Sequence, residues 1–404
     1  MSARNFSPAR LRRLRDGMAG FVERGEVPGL VTLVSRRGET HVEAMGALAF
    51  GGGAPMRRDA IFRIASLSKP VAAAAAMILV KECRLRLDEP VDRLLPELAD
   101  RRVLKRLDSP LEDTVPARRP LTLRDLLTLR MGIGYLMDPA AAGYPIQGAL
   151  RERRILQGPP QPQSLPGPDE WLRRVASLPL MSQPGEKWMY DLGIDVVGVL
   201  IARAAGQPLE TFLHERLFAP LGMKDTGFSV PAEKIDRLTT CYWNHPATGE
   251  LEVYDEAAGG QWSLPPAFPA AAGGLVSTLD DYFAFSRMLL NQGRHDGERI
   301  LSRATIETMT TDQLTAAQKA ASGLIDDYFD SHGWGFGMAV VTRRTDLSEP
   351  VGRFGWDGGL GTSWAVDPRN DMTGILMTQR AWASPVPPNV CRDFWTLAYQ
   401  AIED

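Results

Sequence analysis

The chain has 404 residues, 44% of them hydrophobic and 24% charged, with a formal net charge of −3. That length and composition suit a globular protein with a large core, and they exclude a disordered or low-complexity chain. The near-neutral charge gives no electrostatic reason to expect nucleic acid or an anionic membrane as partner, and the arginines are scattered rather than gathered in a stripe.

Residues 8–24 read as an amphipathic helix ended by Gly25 and Pro28. The N-terminal stretch lacks the apolar core and cleavage site of a secretory signal, and no run reaches the ~18 apolar residues of a membrane helix. Cys83, Cys241 and Cys391 are odd in number and show no C-x-x-C spacing. Neither a disulfide framework nor a cysteine metal site is expected, and a reducing cytoplasm fits. Leu30–Ser35 and His41–Ala47 read as strands around the turn Arg36-Arg37-Gly38.

Ser66 is the one serine followed by a lysine three residues later, Lys69, and an apolar helical run, Pro70–Val80, comes next. Positions i and i+3 share a helix face, so the hydroxyl and the amine can meet over one pocket. An amine kept neutral there could take the serine proton and make Ser66 a nucleophile. With 19 serines and 7 lysines in the chain, about 0.3 such pairs arise by chance, so the pair needs companions.

Leu121–Leu129 reads as a helix with Thr122 as N-cap. Residues 137–184 change character: Pro159, Pro160, Pro162, Pro166 and Pro168 crowd a stretch expected to be a lid or pocket wall. Tyr190 follows, at a tight turn (Pro184–Leu192) leading into a helix over Gly193–Ala205, where its hydroxyl could relay a proton. Asp191 could polarise Tyr190 or cap that helix, and capping is the expectation. Further helices are expected over Leu209–Phe218, Thr278–Asn291 and Val390–Ile402, and strands over Gly335–Thr342, Ser363–Asp367 and Thr373–Gln379. Between them Gly355-Trp356-Asp357-Gly358-Gly359 is a glycine-rich strand whose amides could complete an oxyanion hole with that of Ser66. His214-Glu215 begins like H-E-x-x-H, but position 218 is Phe, so no metal site is expected; His332 is the one histidine near the presumed site.

These segments together resemble the serine β-lactamase and penicillin-binding-protein superfamily, within it the class C-like group and the family VIII carboxylesterases. The resemblance also takes in Leu87-Asp88-Glu89-Pro90-Val91, Thr122–Thr128, Pro220-Leu221-Gly222-Met223, and Gly273–Thr278 with Asp281. It implies an α/β fold of α+β type, an antiparallel sheet flanked by helices. An α/β domain of residues 1–80 and 275–404 would hold an inserted, mainly helical domain of residues 81–274, with the active site between them. It makes Ser66 the acylated nucleophile, Lys69 its general base, and Tyr190 the tyrosine of the Y-x-N motif. Trp356-Asp357-Gly358 stands where β-lactamases have K-T-G, and Gly359 would supply the second oxyanion amide. Leu192 replaces the asparagine, and Trp356 the lysine, that would hold an anionic antibiotic. Hydrogen bonds to charged groups contribute ~1.5–3 kcal/mol each, so Trp356, Asp357, Gly358 and Leu192 are expected to line a pocket for uncharged, apolar esters. The expectation is a cytoplasmic carboxylesterase needing no metal or organic cofactor, with a small-molecule ester as its partner and an oligomeric state that the sequence leaves open. Acyl transfer, weak β-lactamase activity and a non-catalytic binding role are the alternatives.

Overall fold

The computed structural model describes residues 5–136, 139–155, 158–245, 247–322 and 327–403. Residues 137, 138, 156 and 157 of the proline-rich segment therefore lie outside the described residues.

A seven-stranded antiparallel sheet organises the molecule. Its strands are β1 (Gly29–Arg36), β2 (Glu39–Gly46), β3 (His332–Trp334), β4 (Ala339–Val341), β5 (Phe354–Gly358), β6 (Thr362–Asp367) and β7 (Met372–Thr378). The spatial order is β3-β4-β5-β6-β7-β1-β2, so β1 from the start of the chain pairs with β7 near its end, Leu30 opposite Thr378 and Arg36 opposite Met372. The β1–β2 turn holds Arg37 at φ 48° and Gly38 at φ 84°, the left-handed pair that a two-residue hairpin requires.

Alternation along the strands splits the core in two. Leu30, Val34 and Leu376 face α1 (Pro8–Glu23) and α6 (Asn389–Gln400), meeting Met18, Phe21 and Phe394. Val31, Leu33, Ile375 and Trp364 face the larger core around α2 (Ser68–Lys81), which is buried from Ser68 to Leu79. A helix apolar on every side belongs inside a core, and the alanine run Ala72–Ala76 lets its neighbours pack closely. One of those neighbours is α4 (Gly193–Ala205), while α5 (Leu279–Leu290) lies in the same core against β7, β6 and β1. The short helix α3 (Leu123–Leu127) packs on α4 and is fixed by a reciprocal Thr122–Asp125 capping box.

The strand expected over Gly335–Thr342 is instead a hairpin. The chain turns at Gly335–Met338, with the Gly335 amide donating to the Met338 carbonyl at 2.9 Å and Gly337 at φ 72°. A Cβ at Gly337 would stand 2.7 Å from the Lys69 carbonyl, so the turn lies directly against the start of α2. Leu209–Phe218 is α-helical only to Leu213, then widens into a π turn.

Candidate active site

Ser66 occupies a single 3-10 turn, Ala65–Leu67, that runs straight into α2. A 3-10 turn eclipses positions i and i+3, which keeps Ser66 over Lys69. The turn is tied down at each residue. The Ile64 amide donates to the Leu275 carbonyl at 3.0 Å, Ser68 Oγ donates to the Ala65 carbonyl at 2.7 Å, and Tyr282 Oη donates to the Leu67 carbonyl at 2.9 Å. The Gly273–Thr278 segment thus acts as the strap of this turn, with Val276 and Ser277 pairing Arg63 and Phe62.

Lys69 is fully buried, and its Nζ has three acceptors: Ser66 Oγ at 2.9 Å, the Ala272 carbonyl at 2.8 Å and Asp191 Oδ2 at 3.1 Å. Burial works against its charge, but Tyr190 and Asp191 outweigh that and hold the amine above its usual range. Tyr190 Oη lies 2.7 Å from Ser66 Oγ, and Lys69 Nζ sits 4.4 Å from the tyrosine ring centre. The indole Nε1 of Trp356 donates to Tyr190 Oη at 2.9 Å. Ser66, Lys69, Tyr190 and Trp356 therefore form one connected polar chain, set against the buried rings of Trp188 and Trp334.

Gly358 explains how β5 reaches this turn. A Cβ there would stand 2.3 Å from the Ile64 carbonyl and 2.2 Å from Thr362 Oγ1. Only glycine lets the strand lie so close to the residues before Ser66. Gly359 follows just past the strand end, its carbonyl accepting from the Trp382 amide at 2.9 Å and nothing within 4 Å of its missing Cβ. Ser66 and Gly359 both line a cavity of about 1010 Å³, together with Tyr135, Pro159, Pro160, Tyr190 and Trp356. Pro160 is held by Tyr254 Oη, which donates to its carbonyl at 2.6 Å.

Three sequence expectations change in the structure. Leu192 is fully buried in the main core and is not among the residues lining the cavity; an aliphatic side chain at the start of α4 is drawn inward. Gly358, also expected in the pocket, is not among the residues lining the cavity. Asp357 does line it, with its carboxylate bonded along the sheet. Its carboxylate accepts from Ser363 Oγ at 2.5 Å, and Ser363 in turn accepts from Trp395 Nε1 of α6. Alternation puts it on the other strand face from Trp356, and burial raises its carboxyl to about 6. Asp191 does not cap α4, whose N-cap is Leu192 without a side-chain bond; it turns to Lys69 instead. His332 pairs with Glu349 at 3.4 Å and stacks on Tyr328.

Two residues escaped the sequence reading. Asp195, one turn into α4, accepts from the Ala272 amide at 2.8 Å, and burial with the nearby Asp191 charge raises its carboxyl to about 7. Tyr135 lines the cavity, its hydroxyl donating to the Gly158 carbonyl at 3.2 Å. An acidic residue in an otherwise apolar helix was the available signal for Asp195. For Tyr135 there was none.

A serine flanked by a buried lysine and a tyrosine thus lies under the cavity. The chain belongs to the β-lactamase family, whose model matches residues 14–387. An uncharacterized protein of Mycobacterium tuberculosis is 40% identical over 365 residues, covering 88% of this chain and 86% of its own. Esterase EstB of Burkholderia gladioli is 32% identical over 382 residues, again covering 88% and 86%. Among solved structures, EstCE1, described as a hydrolase with promiscuous acyltransferase activity, superposes with a TM-score of 0.77 at 26% identity, covering 97% of this chain and 99% of that one. The protein is an enzyme of the serine β-lactamase-like superfamily with an α/β fold.

Proposed function

We propose that this protein is a serine carboxylesterase acting on uncharged, apolar esters through an acyl-enzyme on Ser66. The observation that carries the reading is the convergence of Lys69 Nζ and Tyr190 Oη on Ser66 Oγ, at 2.9 and 2.7 Å, beneath a cavity that Trp356 lines. The reacting form is the one whose Lys69 has first given up its extra proton to solvent; there Ser66 Oγ attacks the ester carbonyl as the neutral Nζ takes the serine proton. The amides of Ser66 and Gly359 hold the oxyanion. Tyr190, coupled to Lys69, passes a proton to the departing alkoxide, and water repeats the sequence to release the acid. Trp356 contributes more than an apolar wall in this scheme, because its N–H holds the tyrosine oxygen in line with Ser66.

No metal or organic cofactor is needed for these steps, and the partner is the small-molecule ester alone. No single helix among the described residues is long and apolar enough to cross a membrane. The free state of Cys83, Cys241 and Cys391 supports a reducing, cytoplasmic site of action.

The test is hydrolysis of a p-nitrophenyl ester series, acetate to decanoate, beside nitrocefin, by wild type and Ser66→Ala. Ser66-dependent ester turnover with little nitrocefin cleavage is the expected result; strong nitrocefin turnover would contradict the assignment. Acyl transfer is the second reading, favoured by a cavity large enough to hold an acyl group and an alcohol acceptor together and by the promiscuous acyltransferase activity of EstCE1. Product analysis with a primary alcohol present separates the two.

A further inference from the structure

Resting on the reading of Ser66 and Lys69 above, we propose that Asp191 is the positioning carboxylate of the site. It aims the Lys69 lone pair at Ser66 and balances the ammonium that forms when Lys69 takes the serine proton.

The argument starts from the valence of nitrogen. A neutral amine has two N–H bonds and one lone pair, whereas an ammonium has three N–H bonds and no lone pair. Lys69 Nζ has three neighbours, and two of them, the Ala272 carbonyl and Asp191 Oδ2, take no part in the chemistry. They occupy the two N–H bonds of the neutral amine, so its lone pair can only face Ser66 Oγ. Once the O–H bond of Ser66 breaks and the proton bonds to Nζ, the same three acceptors meet the three N–H bonds of the ammonium. No atom has to move far between the two states, as a preorganised site requires.

Charge makes the same point. Lys69 is completely buried, and a buried ammonium is costly unless paired and hydrogen-bonded. The titratable groups facing it are Tyr190 and Asp191 from the segment before α4, and Asp195 from α4 itself. Of these, Asp191 alone puts a carboxylate oxygen within 3.1 Å of Nζ. Asp195 acts one step back, holding the Ala272 amide and so the segment whose carbonyl receives the other N–H. The relation of Asp191 to Lys69 is that of any third group that orients a catalytic base. It arises here from the middle position of the tyrosine motif, whose expected role was to cap α4.

The test is the pH dependence of kcat/KM for p-nitrophenyl acetate in wild type, Asp191→Asn and Asp191→Ser, with Ser66→Ala as the baseline and fluorophosphonate labelling as a second readout. A nearby carboxylate favours the ammonium, so removing it lowers the proton affinity of Lys69 and leaves the neutral amine present at lower pH. The acid limb of D191N should move down by about one to three units. Its plateau should fall on the order of 10²-fold, with KM within about threefold, because the lone pair is no longer fixed. Labelling rates should fall in parallel. A wild-type profile in D191N, or a lower plateau with an unmoved limb, would overturn the proposal, the latter marking Asp191 as structural only. D191S is judged by the same two quantities if D191N does not fold. Full activity in S66A would instead remove the underlying assignment of Ser66.

Discussion

At Trp356 a single nitrogen ties the cavity wall to the tyrosine. Its Nε1 donates to Tyr190 Oη, which an apolar side chain of the same size could not do. Trp356→Phe should lower kcat about fivefold with little change in KM for small esters, since one neutral hydrogen bond contributes about 1 kcal/mol and is used as the tyrosine exchanges protons. Equal losses in kcat and affinity would mean that the indole only packs. Asp195 makes a prediction about stability instead. Its carboxyl is raised from 3.8 to about 7 by burial and by Asp191, so the folded protein binds that proton more tightly than the unfolded chain does. Ionising it therefore costs stability, from nothing below pH 4 to the full amount above pH 7. Urea unfolding of wild type should weaken relative to Asp195→Asn by roughly 3 kcal/mol between pH 4 and pH 8. Parallel pH profiles would show that Asp195 titrates normally.

Among the elements, β5 and the serine turn carry the geometry. Gly358 and Gly359 are adjacent and chemically identical, yet their surroundings differ: one faces a carbonyl 2.3 Å from its would-be Cβ, the other open space. Gly358→Ala must push β5 away from Ile64 and carry the Gly359 amide with it. It should cost about 1–3 kcal/mol of stability and 10²-fold or more in kcat, on the order of a lost oxyanion donor. Gly359→Ala should fold and melt like wild type. Comparable melting temperatures for the two variants would contradict this account of β5. The segments behind the family resemblance prove to be struts at this scale. Arg124 bridges to Asp88, Asp281 accepts from the Asp225 amide, and Leu275 meets the serine turn. Thr122→Ala should therefore cost about 1 kcal/mol through loss of its cap and leave the pH profile of catalysis unchanged.

Across the whole molecule, what the sequence disclosed follows from what is local. The hairpin β1–β2, the apolar helix α2, the Thr122 N-cap of α3 and the last strands were readable because periodicity and turn chemistry are properties of short segments. The meeting of Ser66 with Lys69 was readable because it spans three residues. Tyr190 and the glycine-rich strand stood out locally, but their joining with Ser66 in one site, and the choice of Gly359, came through the resemblance, since nothing local places residue 190 beside residue 66. The pairings that depend on tertiary burial stayed hidden: Asp191 passed for a helix cap and Leu192 for a pocket residue. The hairpin at Gly335–Met338 passed for one strand because its glycines serve close approaches to Lys69 and Met309 that no sequence window contains.

The central claim is that catalysis passes through an ester bond to Ser66. Acid-quenching the enzyme during turnover of p-nitrophenyl butyrate, then reading intact mass and the modified peptide, tests it most directly. The account predicts one butyryl group per chain, located on Ser66 and missing in Ser66→Ala. A butyryl group on another residue, or undiminished turnover by the Ser66→Ala variant, would contradict it.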